Sequence, residues 1–280
     1  MIRLHKTFLF GLCLFCLGWQ SHARETNSLN KVSYQAVLDL DYPSAEQVLN
    51  YGPSASQFIE GWLPGAQQYY GDIVFIHGGC WLSHYDIAHS RPFTAALRDA
   101  GFRVWSVEYR RTGDDEGGWP ESFYDIHDAI QYLIKAKQIE PENTLLVGHS
   151  AGGHLGLLAA QKNANLKGII GLAAIADLDT YARGENGCQQ VTEQFMQGMP
   201  DENPDAYQNA NPKSHPMHSN THLIYSIDDT IVPVDQVNDL KGIQRVKVTD
   251  VGHFDFIHPG TTVWPVIIDT LKQALQKEHQ

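Results

Sequence analysis

The 280-residue chain predicts an α/β fold, a mostly parallel central sheet with helices on both faces. Three observations carry this. Short apolar runs alternate through the middle of the chain with stretches of helical spacing, the pattern of strand–helix–strand crossovers. One such run, 145–147, ends in Gly148-His149-Ser150-Ala151-Gly152 and restarts as a small-residue helix, which is the form of a sharp strand-to-helix turn. The length left after an apolar leader, 257 residues from Arg24, suits one α/β domain with a full core.

The leader comes first. Arg3 and Lys6 precede an almost wholly apolar stretch, 7–19, and Ser21-His22-Ala23 places small residues where signal peptidase cuts. Residues 1–23 therefore read as a secretory signal peptide, with an uncleaved amino-terminal anchor as the alternative. The apolar stretch is too short to span a membrane as a stable helix, so no stable membrane insertion is expected after cleavage. Neither Cys13 nor Cys16 follows the small residues of a lipoprotein site. The expected location is periplasmic or extracellular. Cleavage removes two positive charges, leaving 18 Lys+Arg against 32 Asp+Glu, near −14. That balance argues against nucleic acid and anionic membrane surfaces as partners.

Residues 24–72 carry the weakest signals. Residues 34–40 suit a short helix or strand, Tyr51-Gly52-Pro53 a turn, and 58–63 an edge strand closed by Pro64-Gly65. The run 73–76 is a fully buried parallel strand. It leads into His77-Gly78-Gly79-Cys80-Trp81, where glycines let backbone N–H groups turn inward as oxyanion donors. Gly78 and Gly79 are the candidates there, with the Cys80 N–H as competitor and a plain tight turn as the alternative. Residues 91–100 form a helix ended at Gly101, 102–109 a strand, and 110–118 a polar loop. Trp119-Pro120 opens a helix whose apolar face is Phe123, Ile126, Ile130, Leu133 and Ile134. Strand 144–147, helix 151–161 and strand 168–174 follow. Residues 177–221 break the alternation and read as a cap-like insertion, whose Phe195, Met196 and Met199 either line a pocket or anchor the cap. Strands at 222–227 and 245–249 and a closing amphipathic helix from Val263 complete the domain, 24–280.

A serine hydroxyl needs a base during attack, and an imidazole held by a carboxylate supplies one. Behind a Gly-x-Ser-x-Gly turn the chain order is serine, acid, histidine. Ser150 is the nucleophile candidate, and the Ala151 N–H opening the next helix is a third oxyanion donor. Only His253, His258 and His279 follow a plausible acid; His279 lies in the tail and His258 precedes Pro259, so His253 is favoured. Asp228 and Asp229 both follow a strand, and Asp229 is preferred for its distance to Val232-Pro233. Asp255 is too near His253 in sequence to swing under the ring and reads as structural. The histidines lack the spacing of a zinc site, and no metal or organic cofactor is expected.

Cys80 and Cys188 remain after cleavage. In an oxidising compartment they are able to pair; the alternative is two unpaired thiols, one beside the oxyanion loop. Trp81, Tyr85 and Trp119 are candidates for shaping a pocket for an aromatic or sugar-linked acyl group, against a packing role.

His77-Gly78-Gly79-Cys80-Trp81, Gly148-His149-Ser150-Ala151-Gly152-Gly153, the turn Asp229-Thr230-Ile231-Val232-Pro233 and His253-Phe254-Asp255 together resemble the α/β-hydrolases, within them the esterase and kynurenine-formamidase-like branch. Gly118-Trp119-Pro120 and Tyr51-Gly52-Pro53 extend the likeness over most of the mature chain. The resemblance implies Ser150 as nucleophile, Asp229 as acid, His253 as base, and Gly78, Gly79 and Ala151 as oxyanion donors. Ser226 departs from the pattern, standing where the acid turn often has glycine. A leader is foreign to a formamidase of tryptophan breakdown, a cytosolic task. The expectation is thus a secreted serine hydrolase acting on a small carboxylic ester. An amidase of formamides or short peptides is the rival enzyme, and a catalytically silent protein that only binds is the rival of another class.

Overall fold

The apolar runs that the sequence marks as strands meet in one sheet. The computed structural model describes residues 29–65 and 68–277, so the stretch expected to be a signal peptide, 1–23, lies outside the described residues. Among the described residues there are eight strands: β1 (Gln47–Asn50), β2 (Phe58–Trp62), β3 (Gly71–Ile76), β4 (Phe102–Val107), β5 (Thr144–His149), β6 (Gly168–Leu172), β7 (Thr221–Ser226) and β8 (Ile243–Val248). Their order across the sheet is β1-β2-β4-β3-β5-β6-β7-β8. β1 pairs antiparallel with β2, and β2 with β4; every later pairing is parallel. Among the described residues the helices are α1 (Tyr34–Leu38), α2 (Arg91–Asp99), α3 (Glu121–Lys135), α4 (Ala151–Lys162), α5 (Leu178–Ala182), α6 (Gly187–Gln190), α7 (Thr192–Met196), α8 (Pro204–Ala210) and α9 (Val263–Gln276).

β3 shows why the sheet is buried on both faces. Its six residues are all buried. Side chains alternate across a strand, so Val74 and Ile76 join one core with Ile126 and Ile130 of α3 and Leu155 of α4. Ile73 and Phe75 join the other, with Phe93 of α2 and Ile267 and Leu271 of α9. This is the architecture that continuous apolar strands separated by amphipathic helices demand.

One expectation near the amino terminus changes. The strand at 58–62 is internal: β1 covers its outer side, and four of its five residues are buried. The true edge, β1, is a four-residue Gln-Val-Leu-Asn segment with alternating half-exposed positions, too short and polar to signal itself. Residues 34–38 form a helix, capped by the Ser33 hydroxyl accepting from the Ala36 N–H at 3.2 Å. The stretch expected as an insertion, 177–221, holds four short helices, α5 to α8, and its last residue, Thr221, already belongs to β7. No helix of the described residues is long and apolar enough to cross a membrane.

Candidate active site

Ser150 stands between the end of β5 and the start of α4, with φ +55° and ψ −120°. A non-glycine residue adopts that conformation only where its surroundings force it. They do so here by close packing. A Cβ on Gly152 would strike the carbonyl oxygens of Ile76 and His77, and one on Gly148 would strike the Gly152 carbonyl. Bare backbone on either side lets α4 sit directly on the sheet, and the serine is left at the apex. Its own N–H donates to the Leu172 carbonyl at 3.0 Å, tying the apex to β6.

His253 arrives from the loop after β8, on a short 3-10 turn, His253–Ile257. Its Nδ1 lies 2.8 Å from Asp229 Oδ2. A carboxylate only accepts, so Nδ1 carries the proton and a neutral ring leaves Nε2 bare. The other Asp229 oxygen accepts from the Ile231 and Val232 N–H groups at 2.8 and 3.0 Å, which fixes the carboxylate's orientation. Asp228 points elsewhere and accepts from the Asp250 N–H at 2.6 Å. Ser226, the departure from the expected glycine, accepts the Asp228 N–H at 3.0 Å and so helps to shape this turn. Asp255 is fully buried and accepts from the N–H groups of Lys31 (2.6 Å), Val32 (2.8 Å) and Gly252 (2.7 Å). It pins the amino-terminal segment to the histidine loop.

Ser150 and His253 line one cavity of about 450 Å³ at the carboxyl ends of the strands. Gly79 and Cys80 reach it from the loop after β3. Among the described residues the N–H groups of Gly79, Cys80 and Ala151 donate to no protein acceptor. Gly78 does not line the cavity; it passes behind the serine, where an added Cβ would come 3.1 Å from that of Ser150. Beneath this loop His77 Nδ1 is 2.8 Å from the Gly78 carbonyl and Nε2 is 3.0 Å from Glu108 Oε1. Glu108 also accepts from the Ile87 and Tyr109 N–H groups and pairs with Arg111 at 3.2 Å. Burial pushes the Glu108 carboxyl up, but His77 and Arg111 outweigh it and hold it below its ordinary value.

Of the three aromatic residues expected to shape the pocket, Tyr85 lines it. Trp81 and Trp119 do not. Trp81 is fully buried and stacked on Phe195 of α7, with centroids 4.6 Å apart and planes 10° apart. Trp119 packs against Phe123 and Phe195. Phe195 and Met196 are accordingly anchors. The cap's share of the cavity wall is Asn186, Gly187, Cys188 and Val191.

Three contributors carried no sequence signal of this kind. Tyr34 of α1 lines the cavity and packs on Tyr85 and Phe254, with centroids 5.6 and 5.4 Å apart. Phe254, next to the histidine, adds a second aromatic wall. His149, inside the serine motif itself, lies against His253 with centroids 4.6 Å apart, its Nε2 3.1 Å from the His253 carbonyl. Burial and the neighbouring His253 push the His149 imidazole well below its ordinary value. It is neutral, with Nε2–H donating. Among the described residues no group of three or more His, Cys, Asp or Glu converges as a metal site would require.

The BD-FAE family model matches residues 63–243, which run from the end of β2 to the start of β8 and hold the glycine loop, Ser150, the cap and Asp229. The chain belongs to the BD-FAE family. A 90-residue stretch is 36% identical to the carboxylesterase/phospholipase LipF of Mycobacterium tuberculosis, 32% of this chain and 23% of that protein. A 114-residue stretch is 29% identical to kynurenine formamidase of Meyerozyma guilliermondii, 41% of this chain and 42% of that one. The chain therefore spans under half the length of these curated relatives. Among solved structures, a truncated carbohydrate esterase from gut microbiota superposes with a TM-score of 0.70 at 21% identity, over 84% of this chain and 98% of that one. Esterase B from Lactobacillus rhamnosis gives 0.68 at 17% identity, over 86% and 90%. These likenesses establish the α/β-hydrolase fold, and the family is that of esterase-like hydrolases.

Proposed function

We propose that the protein is a serine hydrolase that cleaves a carboxylic ester of a small substrate through an acyl-enzyme. The observation that carries this is the Asp229–His253 contact of 2.8 Å opening into the same cavity as the apex serine. In the proposed cycle Ser150 Oγ attacks the ester carbonyl while His253 Nε2 takes its proton. Asp229 holds the ring in the Nδ1–H tautomer and stabilises the imidazolium that forms. The oxyanion is met by the N–H groups of Gly79 and Ala151, with Gly78 and Cys80 as neighbours in the same loop. His253 then protonates the leaving alcohol, and water releases the acid by the same route.

The cavity's apolar wall, with Val191, Ile231, Phe254 and Ile257, and its volume of about 450 Å³ support short acyl groups. The 29% likeness to a kynurenine formamidase favours an aryl formamide as the second substrate class. Export is part of the same proposal, supported by the leader at 1–23 and by a disulfide between Cys80 and Cys188.

The test is turnover of p-nitrophenyl acetate, butyrate and palmitate beside an aryl formamide, each with wild type and Ser150→Ala. The expected result is turnover of the two short esters, weak palmitate hydrolysis, and fluorophosphonate labelling. Ser150→Ala is expected to lose about 10⁴-fold or more in kcat. Unlabelled wild type with no turnover of any of the four would overturn the reading. Formamide turnover well above ester turnover would move the protein to the amidases.

A further inference from the structure

The oxyanion loop holds a conformation that side chains resist. Its φ angles are +109° at Gly79, +52° at Cys80 and +57° at Trp81. Glycine takes positive φ freely, but two further residues with a Cβ do so only where the surroundings over-determine them. The ends of the turn are held by backbone bonds, Leu82 N–H to Gly79 O at 3.0 Å and Thr112 N–H to Trp81 O at 2.8 Å. Its middle is held covalently, because Cys80 is bridged to Cys188 of α6, with Cα atoms 5.4 Å apart.

The far end of that bridge is itself anchored. α6 begins with a capping box between Asn186 and Gln189. The Asn186 Nδ2–H group donates to the carbonyls of Thr230 and Ile231 at 3.1 and 3.0 Å. Those two residues follow Asp229, whose carboxylate holds His253. A closed path thus runs from the oxyanion loop through the disulfide and α6 to the acid turn. The bridge is the covalent link in that path.

We propose that the Cys80–Cys188 disulfide is a positioning element for the oxyanion loop, so that its reduction lowers kcat and makes the enzyme's rate depend on thiol redox state. The proposal rests on the serine-hydrolase reading. A dithiol reductant breaks the S–S bond by thiolate attack through a mixed disulfide. Two electrons and two protons pass to the protein, giving two cysteine thiols, and the reductant closes to its own disulfide. The freed loop relaxes from its left-handed turn, and the Gly79 N–H leaves the line of the developing oxyanion. Losing one such donor outright costs roughly 10²–10³ in kcat, so misaligning it is expected to cost about tenfold or more. Affinity for uncharged substrate, which rests on the apolar walls, is expected to stay within about threefold.

The experiment compares the full mature chain oxidised, reduced with dithiothreitol under native conditions, and reoxidised, together with Cys188→Ser. Ellman titration counts the thiols, kcat and KM are measured on p-nitrophenyl butyrate, and inhibition is measured with a trifluoromethyl ketone, which binds as an oxyanion adduct. Reduced wild type and Cys188→Ser are expected to lose kcat alike, with ketone affinity falling in parallel and reoxidation restoring both in wild type. The proposal is overturned if two thiols titrate before reductant is added. It is also overturned if both forms keep kcat within twofold, or if the whole loss lies in KM. Oxidised wild type that neither hydrolyses esters nor labels with fluorophosphonate brings down the hydrolase reading, and this proposal with it. Oxidised enzyme that is active and indifferent to reduction brings down the proposal alone.

Discussion

His253 is held from two sides by groups with different roles. Asp229 accepts from its ring at 2.8 Å, and His149 donates to its backbone carbonyl at 3.1 Å. The first contact sets the tautomer and the second sets where the ring starts from. Asp229→Asn tests the first. An amide at that position is able to donate to Nδ1, which moves the ring proton to Nε2 and blocks the base. The expected outcome is a loss of about 10⁴-fold in kcat with little change in melting temperature, read from ester kinetics and thermal unfolding. A loss under tenfold would assign the acid role elsewhere. Ser150, Asp229 and His253 stand out in the sequence as candidates because their residue types suit acyl transfer and their order is the one expected behind a Gly-x-Ser-x-Gly turn. His149 does not stand out. A histidine beside that serine carries no sign of its partner, which comes from residue 253 and is met only in the folded chain.

Among the contacts that hold the segment 177–221, one aromatic stack and one covalent link reach the loop after β3. Phe195 lies on Trp81 at 4.6 Å with both side chains fully buried. Phe195→Ala leaves a void under the indole, and large-to-small aromatic changes in cores cost about 3–5 kcal/mol. At roughly 2–4 °C per kcal/mol for a chain of this size, the melting temperature is expected to fall by about 10 °C. An unchanged melting temperature would mean that the insertion is held by other contacts. The bridge closes 108 residues of chain, which by loop-closure entropy stabilises the fold by about 4–5 kcal/mol. The kinetic comparison above therefore belongs well below the melting temperature of the reduced form. The stretch 177–221 shows in the sequence as a break in the strand–helix alternation. The inward direction of Trp81 and Trp119 was not, since an aromatic residue near a strand end reads alike whether it faces a cap or a ligand.

Across the whole molecule, several histidines are buried as neutral rings. Burial, with help from His77, pushes His89 down to about 3. Burial pushes His154 down to about 4, against its bond to the Ala210 carbonyl. Burial and Lys277 push His222 down to about 4. In the unfolded chain each titrates near roughly 6.5. Above that value neither state binds these protons, and their contribution to stability is fully present. Below it the unfolded chain takes up protons that the folded chain refuses, so stability falls as the pH drops toward 4. Between pH 7 and pH 5 the expected loss is about 1–2 kcal/mol per histidine, read as a falling melting temperature. His154→Gln, which keeps a donor for Ala210, is expected to flatten that slope. A melting temperature constant from pH 7 to pH 5 would contradict it. The mostly parallel sheet and its cover on both faces could be read along the chain, because strand burial and helix periodicity are local properties. The internal place of β2, the aromatic wall supplied by Tyr34 and the pairing of Cys80 with Cys188 awaited the folded chain. Each depends on which distant segments come to lie side by side, and the energy of such contacts is not written in either segment alone.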